Sequence, residues 1–263
     1  MKEVRDEKKW PLPRYDKNDE PHFLFIITPP FAGSTALSEL LNTSHRAMIL
    51  QERGEGQWLV PGLCEKDRWN PEKNVDYASV KAVWLSKYQQ VKRLVHNIDV
   101  VIEKSPPNMV RIEKLAAQFR NVSFLANNRN PYANCASILY RNHDADRLNP
   151  AQRKHVLSDL TRDWVRRSKR IRALISRLKV PLLTYEAFCH NPSSVLNLLQ
   201  LPDGVSETID VKAKVKVKDY KIQSIIDQNE RQIAKLLDEE IEHVSRLLIS
   251  SSELLAFFGY DRL

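Results

Sequence analysis

The sequence predicts a doubly wound α/β fold, in which helices cover both faces of a parallel sheet. Short apolar runs, such as Phe23–Ile27 and Val100–Ile102, are typical of strands buried on both faces. Segments with helical periodicity separate these runs, and such alternation favours a parallel sheet. A chain of 263 residues has room for one sizeable core. We expect residues 1–21, which are polar and contain three prolines, to form an N-terminal arm, and residues 22–263 to form a single domain.

Each element follows from the local pattern of apolar, charged and turn-forming residues. Strands are predicted at 23–27, 46–50, 100–102, 122–126 and 181–184. Residues 211–217 alternate valine or alanine with lysine, which predicts an exposed strand or an extended loop. Helices are predicted after the first strand, where Leu37, Leu40 and Leu41 recur, then at about 75–96, 108–119, 132–141, 149–178 and 192–199, and as two helices or one broken helix over 222–258.

The connection after the first strand has the features of an anion site. Pro29 and Pro30 end the strand, because proline lacks the N–H that a strand ladder needs. Gly33 lets the backbone approach a ligand, and Ser34 or Thr35 is expected to cap the following helix. Backbone N–H groups, two hydroxyls and the helix dipole then favour a phosphate. A merely structural turn is the alternative.

This loop differs from the two common nucleotide-binding motifs. A nucleoside-triphosphate P-loop needs G-x-x-x-x-G-K-[ST], whereas here no lysine follows Gly33 and the next glycine is Gly54. A dinucleotide-binding G-x-G-x-x-G is also missing from the sequence. A P-loop kinase is therefore a distant alternative.

Composition points to a small anionic ligand in a reducing compartment. The net charge is +8, for which nucleic acid is one candidate partner. Because the basic residues are dispersed among 33 acidic ones, a polyphosphorylated small molecule explains the excess as well, and we expect that ligand and no nucleic acid partner. Cys64, Cys135 and Cys189 are widely spaced and odd in number, which predicts reduced thiols, a cytoplasmic location and no metal site. The apolar runs are short and the first 22 residues are charged, so we expect no membrane span and no signal peptide.

Four further segments accompany the loop Pro30–Thr35 in a fixed order. They are Glu103-Lys104-Ser105-Pro106, Arg129-Asn130-Pro131 with Ser137 eight residues after the arginine, Thr184-Tyr185-Glu186, and the terminal Gly259-Tyr260-Asp261. Together they resemble sulfotransferases that use 3′-phosphoadenosine 5′-phosphosulfate (PAPS) and release the desulfated nucleotide PAP. The likeness is to the tyrosylprotein, heparan and bacterial types, and it covers roughly residues 23–261.

The resemblance implies a P-loop-like three-layer sandwich and a set of cofactor contacts. It implies that Arg129 and Ser137 bind the 3′-phosphate, that Tyr185 packs near the nucleotide, and that lysines of a late basic loop cover it. The residues implied for the cofactor are Ala32, Gly33, Ser34, Thr35, Ala36, Arg129, Ser137, Tyr185, Lys216 and Lys218. For Tyr185 a core position, and for each late lysine a charged edge strand, is the alternative.

The same resemblance implies the catalytic groups. Glu55 in Gly54-Glu55-Gly56 matches the general base, with Glu52 as the reserve, and a solvated loop carboxylate is the alternative for either. Lys104 matches a lysine that reaches the transferring group. Phe31 stands where the family has lysine or arginine, a residue that bonds the phosphosulfate bridge. We therefore expect Lys104 to supply the positive charge that assists the leaving group. A catalytically weakened PAP- or PAPS-binding protein is the alternative.

The acceptor is not specified by these motifs. A hydroxyl or amine on a small molecule, a saccharide or a peptide is compatible with them. We expect its pocket to be formed by residues 57–70 and 141–150, which mix aromatic and basic side chains.

Overall fold

The computed structural model describes residues 19–217 and 221–263. A five-stranded sheet in the order β2-β3-β1-β4-β5, parallel throughout, forms the centre, and β6 and β7 form a separate antiparallel pair. The predicted α/β class is therefore confirmed. The strands are β1 (His22–Ile27), β2 (Ala47–Ile49), β3 (Val100–Glu103), β4 (Val122–Asn128), β5 (Leu182–Thr184), β6 (Val215–Val217) and β7 (Lys221–Gln223).

Helices flank both faces of the sheet. They are α1 (Ser34–Leu41), α2 (Pro61–Cys64), α3 (Tyr77–Lys92), α4 (Ile112–Ala116), α5 (Pro131–Asn142), α6 (Pro150–Leu178), α7 (Tyr185–His190), α8 (Asn229–Ile233), α9 (Asp238–Leu248) and α10 (Ser252–Phe258). Short 3₁₀ turns complete the connections, among them Glu52–Gly54, Gly56–Leu59 and Pro106–Val110.

The middle strand β1 is apolar on both faces because each face meets its own hydrophobic core. Phe23, Phe25 and Ile27 pack into one core cluster, and Leu24 and Ile26 pack into the other. Successive side chains of a strand point to opposite faces, so an uninterrupted apolar run is what a doubly covered strand requires. The single domain expected over residues 22–263 stays a prediction, and most of the predicted N-terminal arm lies outside the described residues.

Three polar loops meet at one edge of the sheet because the strands are parallel. The register pairs Phe25 with Glu103 and Ile27 with Ala126, so β1, β3 and β4 end close together. Ligands of open α/β sheets bind at this carboxyl edge. The segments that follow these three strands contain Gly33, Lys104 and Arg129.

The strand β4 is longer than the predicted 122–126. Asn127 and Asn128 pair with Leu183 and Thr184 of β5, and the Asn127 amide donates to the Leu183 carbonyl oxygen at 3.0 Å. The Asn127 side chain also accepts from the Thr28 hydroxyl at 3.0 Å. Asn127 is accommodated in this buried position because both ends of its amide are hydrogen-bonded.

Three predicted helices differ from the structure. The helix predicted at 192–199 is wrong: α7 begins at Tyr185 behind a Thr184 cap, and Pro192 opens a 3₁₀ turn instead. The segment predicted at 108–119 is α-helical only over Ile112–Ala116. Residues 222–228 are not helical, because Lys221–Gln223 pairs with β6 and α8 starts only at Asn229.

Candidate active site

The loop after β1 is shaped by glycine. Gly33 occupies the helix-cap position of α1 with φ of +78°, and a Cβ atom there would lie 2.3 Å from Cδ2 of Tyr185. The expectation that Ser34 or Thr35 caps the helix is therefore wrong. Ser34 is the first helical residue, and no side chain caps the helix, so its first N–H groups have no intrahelical acceptor and face the loop.

Arg129 joins this loop to the end of β4. Its guanidinium donates to the Phe31 carbonyl oxygen at 3.1 Å, to Ser137 Oγ at 3.3 Å and to Asn229 Oδ1 at 2.8 Å. The Tyr185 ring lies 4.2 Å from the guanidinium carbon. The structure thus brings Arg129, Ser137 and Tyr185 together beside the Gly33 loop, as a single nucleotide site requires.

The Arg129 guanidinium has an unused donor. Its Nη2 atom is buried and has no hydrogen-bond partner among the described residues. Burial lowers the pKa of Arg129, while the nearby Tyr185, Glu186 and Asp227 act in the opposite direction. A buried donor without an acceptor costs stability, and a bound phosphate oxygen would supply both the acceptor and the missing negative charge.

A hydrogen-bonded carboxylate holds the Arg129 segment in place. Glu186 accepts from the Asn130 backbone N–H at 2.9 Å, from Asn229 Nδ2 at 2.6 Å and from the Tyr260 hydroxyl at 3.1 Å. Sequence reasoning quoted the segments of Glu186 and Tyr260 but assigned neither a role, and it missed Asn229. No local signal identifies Asn229, because it lies 100 residues from the arginine that it contacts.

Lys104 lies at the other end of the Gly33 loop. Its ammonium donates to Thr35 Oγ1 at 3.1 Å and to Glu55 Oε1 at 3.2 Å, and its side chain is 2% exposed. Burial lowers the pKa of Lys104, and the charge and hydrogen bond of Glu55 oppose that shift. The structure therefore brings together Thr35, Lys104 and Glu55, three of the residues predicted for cofactor binding and catalysis.

Glu55 sits on a turn that is tied to the sheet. Gly54 accepts from the Lys104 backbone N–H at 2.7 Å, and Gly56 accepts from Trp84 Nε1 at 3.0 Å. Gly54 has φ of +75°, and a Cβ atom on Gly56 would lie 2.7 Å from Leu50 Cδ1. Both flanking glycines are thus needed to carry Glu55 close to Lys104.

The remaining predicted residues occupy different places. Ala32 is buried in the loop, and Ala36 is partly buried in α1. Glu52 and Lys216 are exposed and line, with Thr35 and Glu39, a cavity of about 370 Å³. Arg129, Ser137 and Tyr185 do not line this cavity. Lys218 lies outside the described residues.

A second buried carboxylate lies directly before Lys104. Glu103 is 1% exposed and accepts from the Ser105 backbone N–H at 3.0 Å and from the Ser105 hydroxyl. Burial raises the pKa of Glu103 to about 7, and the hydrogen bonds from Ser105 oppose this. Sequence reasoning gave Glu103 no role beyond its place in the Glu-Lys-Ser-Pro segment.

The described residues contain neither a candidate metal site nor a candidate membrane span. Residues 19–217 and 221–263 contain no cluster of histidine, cysteine and carboxylate side chains that could hold a metal ion. Over the same ranges, none of the helices combines the length and the apolar character that crossing a bilayer requires.

Comparison with solved structures identifies the fold. The chain is similar to the sulfotransferase domain from the curacin biosynthetic pathway (TM-score 0.54, 16% identity, 92% of this chain and 99% of that chain covered). It is also similar to a sulfotransferase from Alicyclobacillus acidocaldarius (TM-score 0.54, 14% identity, 92% of this chain and 97% of that chain covered). A third similar structure is the sulfotransferase domain of the Synechococcus PCC 7002 olefin synthase (TM-score 0.51, 15% identity, 97% of this chain and 99% of that chain covered). No protein-family model and no curated protein sequence matches the chain. The chain therefore has the fold of sulfotransferases.

The raised pKa of Glu103 predicts how stability depends on pH. The native carboxyl holds its proton to higher pH than the unfolded one, so its contribution to stability falls as pH rises from about 4.5 to about 7. The free energy of unfolding of Glu103→Gln minus that of the wild type should therefore rise by about 3 kcal/mol between about pH 4 and about pH 8. Urea denaturation at a series of pH values measures this difference, and a constant difference would contradict the prediction.

Proposed function

We propose that the protein is a sulfotransferase that moves the sulfuryl group of PAPS to a hydroxyl or amine acceptor. The observation that carries this proposal is the convergence of two cationic groups on one loop. Arg129 contacts the Phe31 carbonyl on one side, and Lys104 contacts the Thr35 hydroxyl on the other. A ligand with two separated anionic groups would satisfy both ends.

The residues fit such a nucleotide. Ser34, Thr35 and the open N-terminus of α1 form one anion-binding end, where the 5′-phosphosulfate would lie, and Lys104 stands beside it. Arg129 and Ser137 form the other end, where the unpaired Nη2 would bind the 3′-phosphate. Tyr185 packs between them, against the guanidinium and under Gly33.

When bound, PAPS supplies the sulfuryl group, and the chain supplies a base and positive charge. Glu55 Oε1 would take the proton that the acceptor loses as its new S–O or S–N bond forms. Lys104 would stabilise the negative charge that builds up on the phosphate as its bond to sulfur breaks. As in phosphoryl transfer, positioning and charge account for most of the catalysis.

Phe31 leaves Lys104 as our candidate for the cation that stabilises the phosphosulfate. Phe31 has φ of +62° and contributes its carbonyl oxygen to Arg129, while its side chain packs against the core. Its side chain has no charge to offer the phosphosulfate, so Lys104 is our candidate for that role. Phe31 also favours the alternative function, a PAP- or PAPS-binding protein with little transfer activity.

The acceptor would approach from the side of Glu55. Trp58 is 51% exposed there, with the Arg68 guanidinium carbon 5.7 Å from its ring, and the cavity beside Thr35 adjoins the same turn. These surfaces suit a small molecule, a saccharide or a peptide. We further propose a cytoplasmic location, with no nucleic acid partner.

The nucleotide site predicts a selective loss of affinity in Arg129→Gln. Charge-assisted hydrogen bonds contribute about 1.5–3 kcal/mol, so affinity for PAP should fall by about ten- to a hundredfold. Affinity for adenosine 5′-monophosphate, which lacks the 3′-phosphate, should change little. Titration calorimetry measures both, with the exposed Arg147→Gln as the matched control. Equal losses for the two nucleotides would contradict the assignment, and Ser137→Ala, which should show a smaller loss of the same kind, provides a milder second test.

The catalytic assignment predicts that Lys104→Ala lowers turnover by about two to three powers of ten, as expected for the loss of a main electrostatic donor. Transfer from labelled PAPS to a panel of phenols, sugars and tyrosine peptides measures this turnover.

The same assay tests Glu55, because Glu55→Gln should keep PAP affinity while losing turnover. Wild-type turnover in either variant would refute that residue's role, and PAP binding without transfer by the wild type would favour the binding-protein alternative.

A further inference from the structure

The two carboxylate oxygens of Glu55 have separate sets of partners. Oε1 accepts from Lys104 at 3.2 Å. Oε2 accepts from Gln57 Nε2 at 2.8 Å and from Trp58 Nε1 at 3.0 Å. The carboxylate is therefore held in one orientation, with Oε1 on the side of Lys104 and Thr35.

Gln57 is the more constrained of the two donors to Oε2. It is 2% exposed, and its backbone N–H donates to Ser105 Oγ at 3.0 Å. The Ser105 hydroxyl in turn donates to the buried carboxylate of Glu103. Gln57 is thus hydrogen-bonded to Ser105, the residue that follows Lys104. The same short segment therefore positions both Lys104 and, through Gln57, Glu55.

The orientation of the Gln57 amide has a cost. A carboxylate only accepts hydrogen bonds, so the NH₂ group must face Glu55. Its carbonyl oxygen is then left buried without a partner among the described residues. An unpaired buried acceptor lowers stability, and an apolar side chain of similar shape would avoid that loss. Stability alone does not account for a glutamine at this position.

We infer that Gln57 is a positioning residue for Glu55, which holds Oε2 so that Oε1 is the oxygen that takes the acceptor's proton. Trp58 adds a second donor from the solvent side. The inference rests on the proposed function, because it requires Glu55 to be the base. Gln57 acts through Glu55 and does not itself contact the cofactor end at Arg129.

Gln57→Met tests this role, since methionine has a similar length and no donor. We expect kcat to fall by about ten- to a hundredfold, because a displacement of the Glu55 carboxylate by about 1 Å or less is enough to slow the reaction that much. The KM for PAPS and the affinity for PAP should not change, and Tm should stay level or rise. Gln232→Met, at another buried glutamine that does not contact Glu55, is the matched control and should keep wild-type kcat.

A double mutant separates positioning from general structural damage. In a Glu55→Gln background, Gln57→Met should cause no further loss of transfer, because its target is already removed. Wild-type kcat in Gln57→Met, or a loss of the same factor in both backgrounds, would overturn the inference. Transfer by the wild type is measured first, with the acceptor from the panel that reacts fastest. Absence of transfer there would refute the proposed function and the inference with it, whereas transfer unaffected by Gln57→Met would refute the inference alone.

Discussion

The buried guanidinium of Arg129 is the group on which the proposed site depends. It bonds the Phe31 carbonyl, Ser137 and Asn229, which come from three separate parts of the chain. A charge in this position is costly to bury, and Glu186 offsets part of that cost through Asn229 without contacting the guanidinium directly. The Nη2 atom has no hydrogen-bond partner among the described residues, and in the proposed complex the 3′-phosphate would supply its acceptor. The fold thus places a buried positive charge with an unpaired donor beside the Gly33 loop.

A second buried cation, Lys104, lies at the other end of the same loop. Lys104 is compensated by Glu55, so the free protein keeps a neutral pair where a sulfuryl group would later bring negative charge. Removing one member of a buried pair leaves the other uncompensated. The backbone hydrogen bond from Lys104 to Gly54 holds the turn that carries Glu55 against the end of β3, and the glycines on either side of Glu55 allow that turn. In the proposed mechanism, the contacts that stabilise this segment are therefore also those that hold the base.

The parts of the structure that were predictable are those set by local pattern. The five strands of the central sheet are of this kind. So is the spacing of eight residues from Arg129 to Ser137, because a short turn and the start of α5 separate the two residues. The capping of α1 was mispredicted, since the approach of the Tyr185 ring to Gly33 is a long-range contact. The role of Asn229 likewise depends on a residue distant in sequence, because its partner Arg129 lies 100 positions away. The helix predicted from residue 222 begins only at Asn229, and Lys221–Gln223 pairs with β6 instead.

A crystal structure of the protein with PAP tests the central claim most directly. The account predicts that one nucleotide spans the loop, with its 3′-phosphate bonded to Arg129 Nη2 and Ser137 and its 5′-phosphate at Ser34 and Thr35, near Lys104. A nucleotide bound away from Arg129, or one whose two phosphates both lie on the same side of the Gly33 loop, would contradict it.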